Sequence, residues 1–131
     1  MLARHQRISR GSDFTRTLRR GVRVRRADLM VHVLPTGGPD VVAVERGSRY
    51  GLIVSKSVGD AVTRHAVARR LRVAAAGAEV SASDDPDRSE LVVIRALPGA
   101  ADRSSTELTD ELTSALRKAH RRLADDAVGA R

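Results

Sequence analysis

The sequence predicts a single-domain α+β protein in which helices pack on a small mixed sheet. Two apolar runs, YGLIVS at 50–55 and LVVIRAL at 91–97, have the composition of buried strands. Two longer segments, at about 58–76 and 104–126, have the apolar spacing of amphipathic helices. The order is helix, strands, helix, strand, helix in 131 residues, which is the size of one domain with a sheet and packed helices.

The first half of the chain is predicted to contain one helix and two or more strands. In RGSDFTRTLRRG, Ser12 is the expected N-cap, Phe14 lies on the apolar face and Gly21 is the expected end of the helix. Residues 22–35, VRVRRADLMVHVLP, have the composition of extended structure with both faces partly covered. PTGGPD predicts a turn, and VVAV at 41–44 predicts a short strand.

The second half is predicted to contain two long helices around a buried strand. Gly77 is the expected end of the first of them, and the acidic stretch at 79–90 predicts a mobile loop. Ser104 and Glu107 have the spacing of a capping box at the start of the last helix. An apolar stripe then follows at helical spacing: Leu108, Leu112, Ala115, Leu116, Ala119 and Leu123. Residues 125–131 are predicted to be a tail.

Positive charge is concentrated in the first three-fifths of the chain. The net charge is +8, from 24 basic and 16 acidic residues. Residues 1–77 carry 16 basic and 5 acidic side chains, whereas residues 78–131 carry 8 basic and 11 acidic ones. Clustered arginines bind polyanions by releasing counterions from phosphates, so the asymmetry favours a nucleic-acid partner. A general preference for arginine would not produce the asymmetry.

The densest cationic cluster lies on the central helix and just before it, in SKSVGDAVTRHAVARRLR. At about 100° per residue, most of its cations fall on one face, and aliphatic residues such as Val62 and Val73 fall on the other. Arg70 falls on the aliphatic side, where its stem would reach an edge. The alternative is a solvated surface face, but such a face usually mixes charges of both signs. The residues predicted to bind nucleic acid are Lys56, Arg64, His65, Arg69, Arg70 and Arg72.

Several functional classes find no support in the sequence. The chain has no cysteine, no apolar run long enough to span a membrane and no apolar signal segment, so we expect a cytoplasmic protein without a membrane association. The four histidines share no metal-binding or catalytic spacing, and no phosphate-loop motif or activated nucleophile is present. The acids Asp84, Asp85 and Asp87 favour a solvated turn over a metal site. We therefore expect no catalytic residues and no bound metal.

RYGLIVSKSVGDAVTRHAVARRLR resembles the signature of the bacterial ribonuclease P protein subunit, in which a strand leads through a lysine-rich turn into a helix with the RNR motif. QRISRGSDFTRTLRRG and LVVIRAL are similar to other parts of that family, so the resemblance covers about residues 4–124. Arg64, Arg69 and Arg72 occupy three basic positions of the motif. His65 stands where the family usually has Asn, and Ala66 and Ala68 stand where it usually has Arg and Lys. Ser57 replaces the second lysine of the turn.

The resemblance implies a fold and a function. The implied fold is an α/β sandwich with a left-handed βαβ crossover. The implied function is that of the ribonuclease P protein subunit, which binds the RNA subunit and assists removal of the 5′ leader from precursor tRNA. It further implies that the RNA subunit carries the catalytic site and requires Mg²⁺, and that the protein holds no cofactor. By position, Phe14 and His32 would line a cleft for the leader. The implied partners are the ribonuclease P RNA and precursor tRNA, with no protein partner.

Three other functions stay open at this point. A ribosomal or ribosome-assembly module would bind structured RNA through a similar basic face without a role in leader cleavage. A duplex-DNA binder would insert the basic helix into a major groove, although the helix offers little besides Arg and His to contact bases. A stand-alone nuclease is the least favoured, because no cluster of acids or histidines would hold a metal or activate water.

Overall fold

The structure is a computed structural model that describes residues 6–36, 48–82 and 88–129. These residues form a mixed four-stranded sheet with helices packed on both of its faces, which confirms the predicted α+β class. The elements in chain order are α1 Gly11–Arg20, β1 Val22–Arg25, β2 Leu29–Pro35, β3 Arg49–Ile53, α2 Ala61–Ala82, β4 Glu90–Ala96, a 3₁₀ helix Pro98–Asp102, and α3 Ser105–Gly129.

The strand order across the sheet is β1-β2-β4-β3. The β1–β2 and β2–β4 pairs are antiparallel, whereas β3 and β4 are parallel neighbours joined through α2. These three elements therefore form a βαβ unit; its left-handed sense stays a prediction of the resemblance. On the outer side of β3, the backbone N–H of Ile8 donates to the carbonyl of Tyr50 at 2.9 Å, so the N-terminal segment covers part of this edge.

The larger core lies between the sheet and the helices α2 and α3. Except for Tyr50, it is built from aliphatic side chains that alternate along the strands and recur every three or four residues along the helices. A smaller core lies on the opposite face of the sheet, under α1, which packs against β2 and β4. Ile8, Leu91 and Val93 are buried there, and the side chains of Phe14 and Leu18 pack onto them.

The segment from α1 to β1 differs from the prediction at its start. The helix begins at Gly11 after Arg10, with no side-chain cap, so the prediction that Ser12 caps it is wrong. Its end at Gly21 is confirmed: the N–H of Gly21 donates to the carbonyl of Thr17 at 2.9 Å. A Cβ at position 21 would lie 2.5 Å from that carbonyl oxygen, so a glycine is needed where the chain turns into β1.

Strand β3 is shorter and less buried than the sequence predicted. It ends at Ile53 rather than at residue 55, and its last two residues are half-buried because β3 lies at an edge of the sheet. In contrast, β4 pairs on both sides and is buried at every position except Arg95. The predicted strand at 41–44, and all but the first two residues of the PTGGPD turn, lie outside the described residues.

Helix α2 begins at Ala61, where the carboxylate of Asp60 accepts the backbone N–H of Thr63 at 2.8 Å and so caps the helix. Within the helix, the aliphatic face is narrower than predicted. Val62 is 79% exposed and Val73 is 43% exposed, so neither belongs to the core. The buried residues of α2 begin only in its second turn and lie mostly one turn apart: Val67, Leu71, Ala74, Ala75 and Ala78.

The prediction that Gly77 ends α2 is wrong, because the helix continues to Ala82. A glycine inside a helix costs about 1 kcal/mol relative to alanine, but the packing of α2 on α3 offsets that cost. A Cβ at position 77 would lie 3.2 Å from Cγ2 of Thr109 on α3, so the missing side chain lets the two helices approach closely. Of the predicted loop at 79–90, residues 79–82 are helical and Glu90 begins β4, whereas residues 83–87 lie outside the described residues.

Helix α3 starts as the sequence predicted. The hydroxyl of Ser104 accepts the N–H of Glu107 at 3.1 Å, and the carboxylate of Glu107 accepts the N–H of Ser104 at 3.1 Å, which is a reciprocal capping box. The predicted apolar stripe is buried, except for the half-buried Leu123. The helix continues to Gly129, so most of the predicted tail at 125–131 is helical.

Two buried polar contacts attach strands to helices at one end of the sheet. The hydroxyl of Tyr50 on β3 donates to the carboxylate of Glu79 on α2, and burial together with this carboxylate raises the pKa of Tyr50. Nε2 of His120 on α3 lies 2.8 and 3.0 Å from the carboxylate oxygens of Glu90 on β4. These contacts fix both strands of the parallel pair relative to the helices above them.

None of the described helices is long and apolar enough to cross a membrane.

Candidate nucleic-acid interface

A compact turn connects β3 to the start of α2 and presents Lys56. The N–H of Val58 donates to the carbonyl of Ser55 at 3.1 Å, and the N–H of Gly59 donates to the carbonyl of Lys56 at 3.2 Å. The Lys56 side chain is exposed. The turn thus places an ammonium group immediately before the basic helix, as the sequence predicted.

A groove of about 330 Å³ runs between α2 and the exposed edge of β3. Strand β3 and the residue after it contribute Leu52 and Val54, which pack against the larger core. From α2, the groove takes one stripe of residues at positions i, i+3, i+4, i+7 and i+11, a spacing that keeps them on one face of a helix. These residues are Ala61, Arg64, His65, Ala68 and Arg72. We call this feature the α2 groove.

The two remaining arginines of the predicted set lie differently. Arg69 is exposed and lies outside the residues that line the groove. Arg70 is half-buried, and its Nη1 donates to the carbonyl of Ala101 at 3.1 Å and to that of Arg103 at 2.7 Å. Arg70 therefore connects α2 to the end of the 3₁₀ helix. The structure brings Arg64, His65 and Arg72 together and separates Arg70 from them.

A second cationic surface lies on the face of the sheet that carries α1. The register aligns Arg23 of β1 with His32 of β2, His32 with Val93 of β4, and Val93 with Gly51 of β3. Residues that pair directly across a sheet lie on the same face, so these four positions form one row. In the adjacent row, Met30 is flanked by Arg25 on one side and Arg95 on the other.

Phe14 of α1 lies directly on the end of this row. A Cβ at position 51 would lie 2.5 Å from Cε1 of Phe14 and still closer to Cζ, so the ring occupies the space above Gly51. Phe14 is half-buried, with part of the ring packed into the smaller core. Gly51 and His32 are separated by β4, or about 10 Å at ordinary strand spacing. We call the surface formed by Phe14, His32 and the flanking arginines the sheet cleft.

His32 is a neutral ring in a cationic environment. Its side chain is buried, and burial lowers the pKa of its imidazole; the guanidinium groups of Arg23 and Arg95 lower it further. Nδ1 of His32 is buried without a hydrogen-bond partner in the described part of the protein. At neutral pH the imidazole is therefore an uncharged ring with an unsatisfied polar atom, flanked by two cations.

Arg23, Arg25 and Arg95 were not identified from the sequence as site residues. All three side chains are exposed. In VRVR, the valines face the core and the arginines face the other way. This alternation would have identified Arg23 and Arg25. Arg95 is the single exposed position of β4 and interrupts an otherwise apolar run. Cations that alternate with core residues on strands would thus have indicated a charged sheet face.

The described residues contain no group of three or more His, Cys, Asp or Glu side chains placed to hold a metal ion. The side chains of the α2 groove and of the sheet cleft are arginines, imidazoles, one phenyl ring and aliphatic groups. Guanidinium groups bind phosphates, and aromatic and guanidinium planes stack with unpaired bases. The side chains of both surfaces are therefore of the kinds that suit the binding of single-stranded or irregular nucleic acid.

Comparison with known protein families gives a match over nearly the whole chain. The family model described as Ribonuclease P matches residues 2–120. A ribonuclease P protein component from Rhodococcus opacus (strain B4) is 47% identical over 116 residues, covering 88% of this chain and 90% of the relative. A ribonuclease P protein component from Mycobacterium sp. (strain KMS) is 41% identical over 123 residues, covering 94% and 97%.

Solved structures with the same fold are also ribonuclease P proteins. The protein from Staphylococcus aureus superposes with a TM-score of 0.67 at 24% identity, covering 87% of this chain and 94% of that one. The protein from Thermotoga maritima superposes with a TM-score of 0.68 at 16% identity, covering 86% and 96%. These similarities show the fold.

Proposed function

The chain belongs to the ribonuclease P protein family, and on this premise we propose that it holds the 5′ leader of precursor tRNA in the sheet cleft while α2 contacts the catalytic RNA. Family membership makes it a protein component of ribonuclease P, a tRNA-processing enzyme whose RNA is its partner. The relatives give no support to a ribosomal or ribosome-assembly module. The observation that carries the proposal is the sheet cleft, where two rings and three exposed arginines share the sheet face that carries α1.

In the sheet cleft, bases of the leader stack on the rings and the phosphates pair with the arginines. Phe14 supplies an apolar platform at one end of the row, and the neutral imidazole of His32 supplies a second ring. Arg23, Arg25 and Arg95 surround the second ring with cations. Single-strand grooves commonly combine cations along the backbone with rings for the bases, and such binding depends little on sequence.

On α2, Arg64, Arg69 and Arg72, with Lys56 before the helix, bind phosphates of the ribonuclease P RNA. No acidic residue lies between Ala61 and Ala78, so the helix carries no carboxylate that would repel the RNA along this stretch. Arg70 has a mainly structural role, because its guanidinium already donates to backbone carbonyls. Its effect on RNA binding is then indirect, through the position of α2.

Hydrolysis of the phosphodiester bond belongs, in this proposal, to the RNA subunit and the Mg²⁺ ions that it binds. The chemistry of the two protein surfaces supports this division. Their residues bind phosphates and bases, and the lowered pKa of His32 makes it a poor cation at neutral pH. The protein contributes by increasing the affinity for substrates that carry a leader, and so it brings the scissile bond to the catalytic RNA.

The test is the affinity of the cognate ribonuclease P RNA for precursor tRNA, with and without this protein, as the leader is lengthened one nucleotide at a time. We expect the protein to tighten binding once the leader spans the sheet cleft, and to leave the binding of mature tRNA nearly unchanged. Phe14→Ala should remove most of this leader dependence. Leu123→Ala is the matched control, because Leu123 is also a half-buried apolar side chain, but it lies on α3 and packs against the larger core. An equal effect of the protein on precursor and mature tRNA would contradict the proposal.

A further inference from the structure

We propose that the α2 groove takes one unpaired base of an RNA, with the phosphates on either side of that base on Arg64 and Arg72. The inference rests on the proposed function, because it requires an RNA partner at α2. From a basic helix alone, one would expect this surface to bind only phosphates. The inference adds a base to what the surface binds. The occupant is a single unstacked nucleotide, and not the backbone of a duplex.

The floor of the groove is apolar, which is unexpected for a surface that only neutralises phosphates. The half-buried Leu52 and Val54 line it from the strand side and the half-buried Ala68 lines it from α2, and the exposed Ala61 begins the α2 stripe. The two alanines leave space that longer side chains would fill. The volume, about 330 Å³, is at the lower end of the range of about 300–1,000 Å³ that is typical of small-molecule pockets. That is room for a base, whereas a duplex would meet only the rim.

The rim of the groove carries planar cationic and aromatic groups. Arg64 and Arg72 line the groove and are half-buried. His65, the residue after Arg64, also lines the groove and is exposed. Nε of Arg64 is buried and lacks a hydrogen-bond partner among the described residues, so the guanidinium retains an unused donor. Unpaired bases stack on imidazole rings and on guanidinium planes, and the same guanidinium groups pair with phosphates. Rim and floor together match a nucleotide, with charge outside and an apolar face inside.

The α2 groove is separate from the sheet cleft. Successive side chains of a strand point to opposite faces, so Gly51, under the ring of Phe14, and Leu52, in the groove, lie on opposite sides of β3. One bound base in the groove therefore does not compete for space with a leader in the cleft. The two can be occupied together by different RNA segments.

The first arm of the test fills the groove without changing charge. Ala68→Leu should weaken binding of the protein to its cognate ribonuclease P RNA by about tenfold, which is in the range for loss of one stacked base. The dependence of affinity on salt should stay as in the wild type, because no phosphate contact is removed. Val62→Leu is the matched control, because Val62 is on the same helix, is 79% exposed and lies outside the groove lining. The affinity of this variant for the RNA should equal that of the wild type.

The second arm uses the unmodified protein, so it does not depend on the folding of a variant. The methyl groups of Leu52 and Val54 are followed by NMR during titration with a single-stranded RNA hexanucleotide. The same titration is repeated with an abasic hexamer of equal charge. We expect the floor methyl signals to shift with the base-bearing RNA and to stay in place with the abasic one, while the Val62 methyl signals respond little to either.

The outcomes separate this inference from the proposed function. If Ala68→Leu binds RNA like Val62→Leu, or if the abasic hexamer shifts the floor methyl signals equally, the groove binds phosphates only and the inference is overturned. Leader-dependent binding by the wild-type protein would survive that result. If instead the wild-type protein has no leader-dependent effect, the proposed function fails, whatever the methyl signals report.

Discussion

Gly51→Ala tests the contact on which the sheet cleft depends, because the ring of Phe14 occupies the space of the missing side chain. An added Cβ would lie 2.5 Å from Cε1 of Phe14, whereas carbon atoms in contact lie about 3.5–4.0 Å apart. The ring or the strand must then move by more than about 1 Å. Since part of the ring packs into the smaller core under α1, the movement also disturbs that core.

The expected change in stability follows from two opposing effects. Overpacking of a core contact costs about 1–3 kcal/mol. Replacing a glycine in a strand with alanine returns about 0.5–1 kcal/mol, because the unfolded chain loses conformational freedom. The free energy of unfolding should therefore fall by up to about 2.5 kcal/mol, and by about 1 kcal/mol at the middle of both ranges, in urea titrations. Leader-dependent binding of precursor tRNA should weaken in the same variant, because the displaced ring no longer lies on the cleft floor.

A double-mutant cycle identifies the cause. Phe14→Leu alone should cost less than about 1.5 kcal/mol, as a swap between apolar side chains in a half-buried position. If the clash with the ring is responsible, Gly51→Ala should cost less in the Phe14→Leu background, with a coupling of at least about 0.5 kcal/mol. Strictly additive losses, or a Gly51→Ala variant with unchanged leader preference, would refute the placement of the ring on β3.

Three further predictions concern separate parts of the molecule. Alanine at Arg64, Arg69 or Arg72 should each weaken RNA binding and reduce the slope of log affinity against log salt by about one; unchanged slopes would mean that the side chains stay solvated. The pKa of His32 is lowered in the folded protein, by burial and then by nearby arginines, so the unfolded chain binds the extra proton as the pH falls below about 6.5. Stability should therefore fall as the pH drops from about 7 to 5, less steeply in His32→Phe; equal slopes in urea titrations would contradict this. Ser104→Ala should lower the free energy of unfolding by about 1 kcal/mol through loss of the α3 capping box, and a change below about 0.3 kcal/mol would be too small for that role.

The elements that the sequence predicted well are those whose local pattern and tertiary packing agree. The start of α3 is one case, since the spacing of Ser104 and Glu107 and the apolar stripe that follows specify the same boundary. The end of α2 is the opposite case. Gly77 indicates a stop when only local propensity is considered, but its position against Thr109 on α3 makes it a packing residue. A close approach between helices leaves no trace in a single sequence.

The candidate site was predictable on α2 and only partly predictable on the sheet. The helical spacing placed Arg64 and Arg72 on one face, and the structure brings both to the α2 groove. The same spacing set Arg70 apart, but its partners, the carbonyls of the 3₁₀ helix, lie about thirty residues later in the chain. Arg25 and Arg95 flank Met30 because of the register of β1 and β4 against β2. That register could not be predicted from the sequence, so neither could the grouping of these side chains.

The position of β4 has a consequence for the newly synthesised chain. Strand β3 pairs with β4 and not with β2, and β2 also pairs with β4, so two of the three pairings of the sheet wait for a strand that follows α2. Until Ala96 has left the ribosome, the β1–β2 hairpin and the basic segment of α2 have no common scaffold. Both candidate surfaces then form in a single late step of folding, because the α2 groove requires β3 and the sheet cleft requires β3 and β4. The growing chain thus carries its arginines for most of its synthesis without the geometry that would select an RNA.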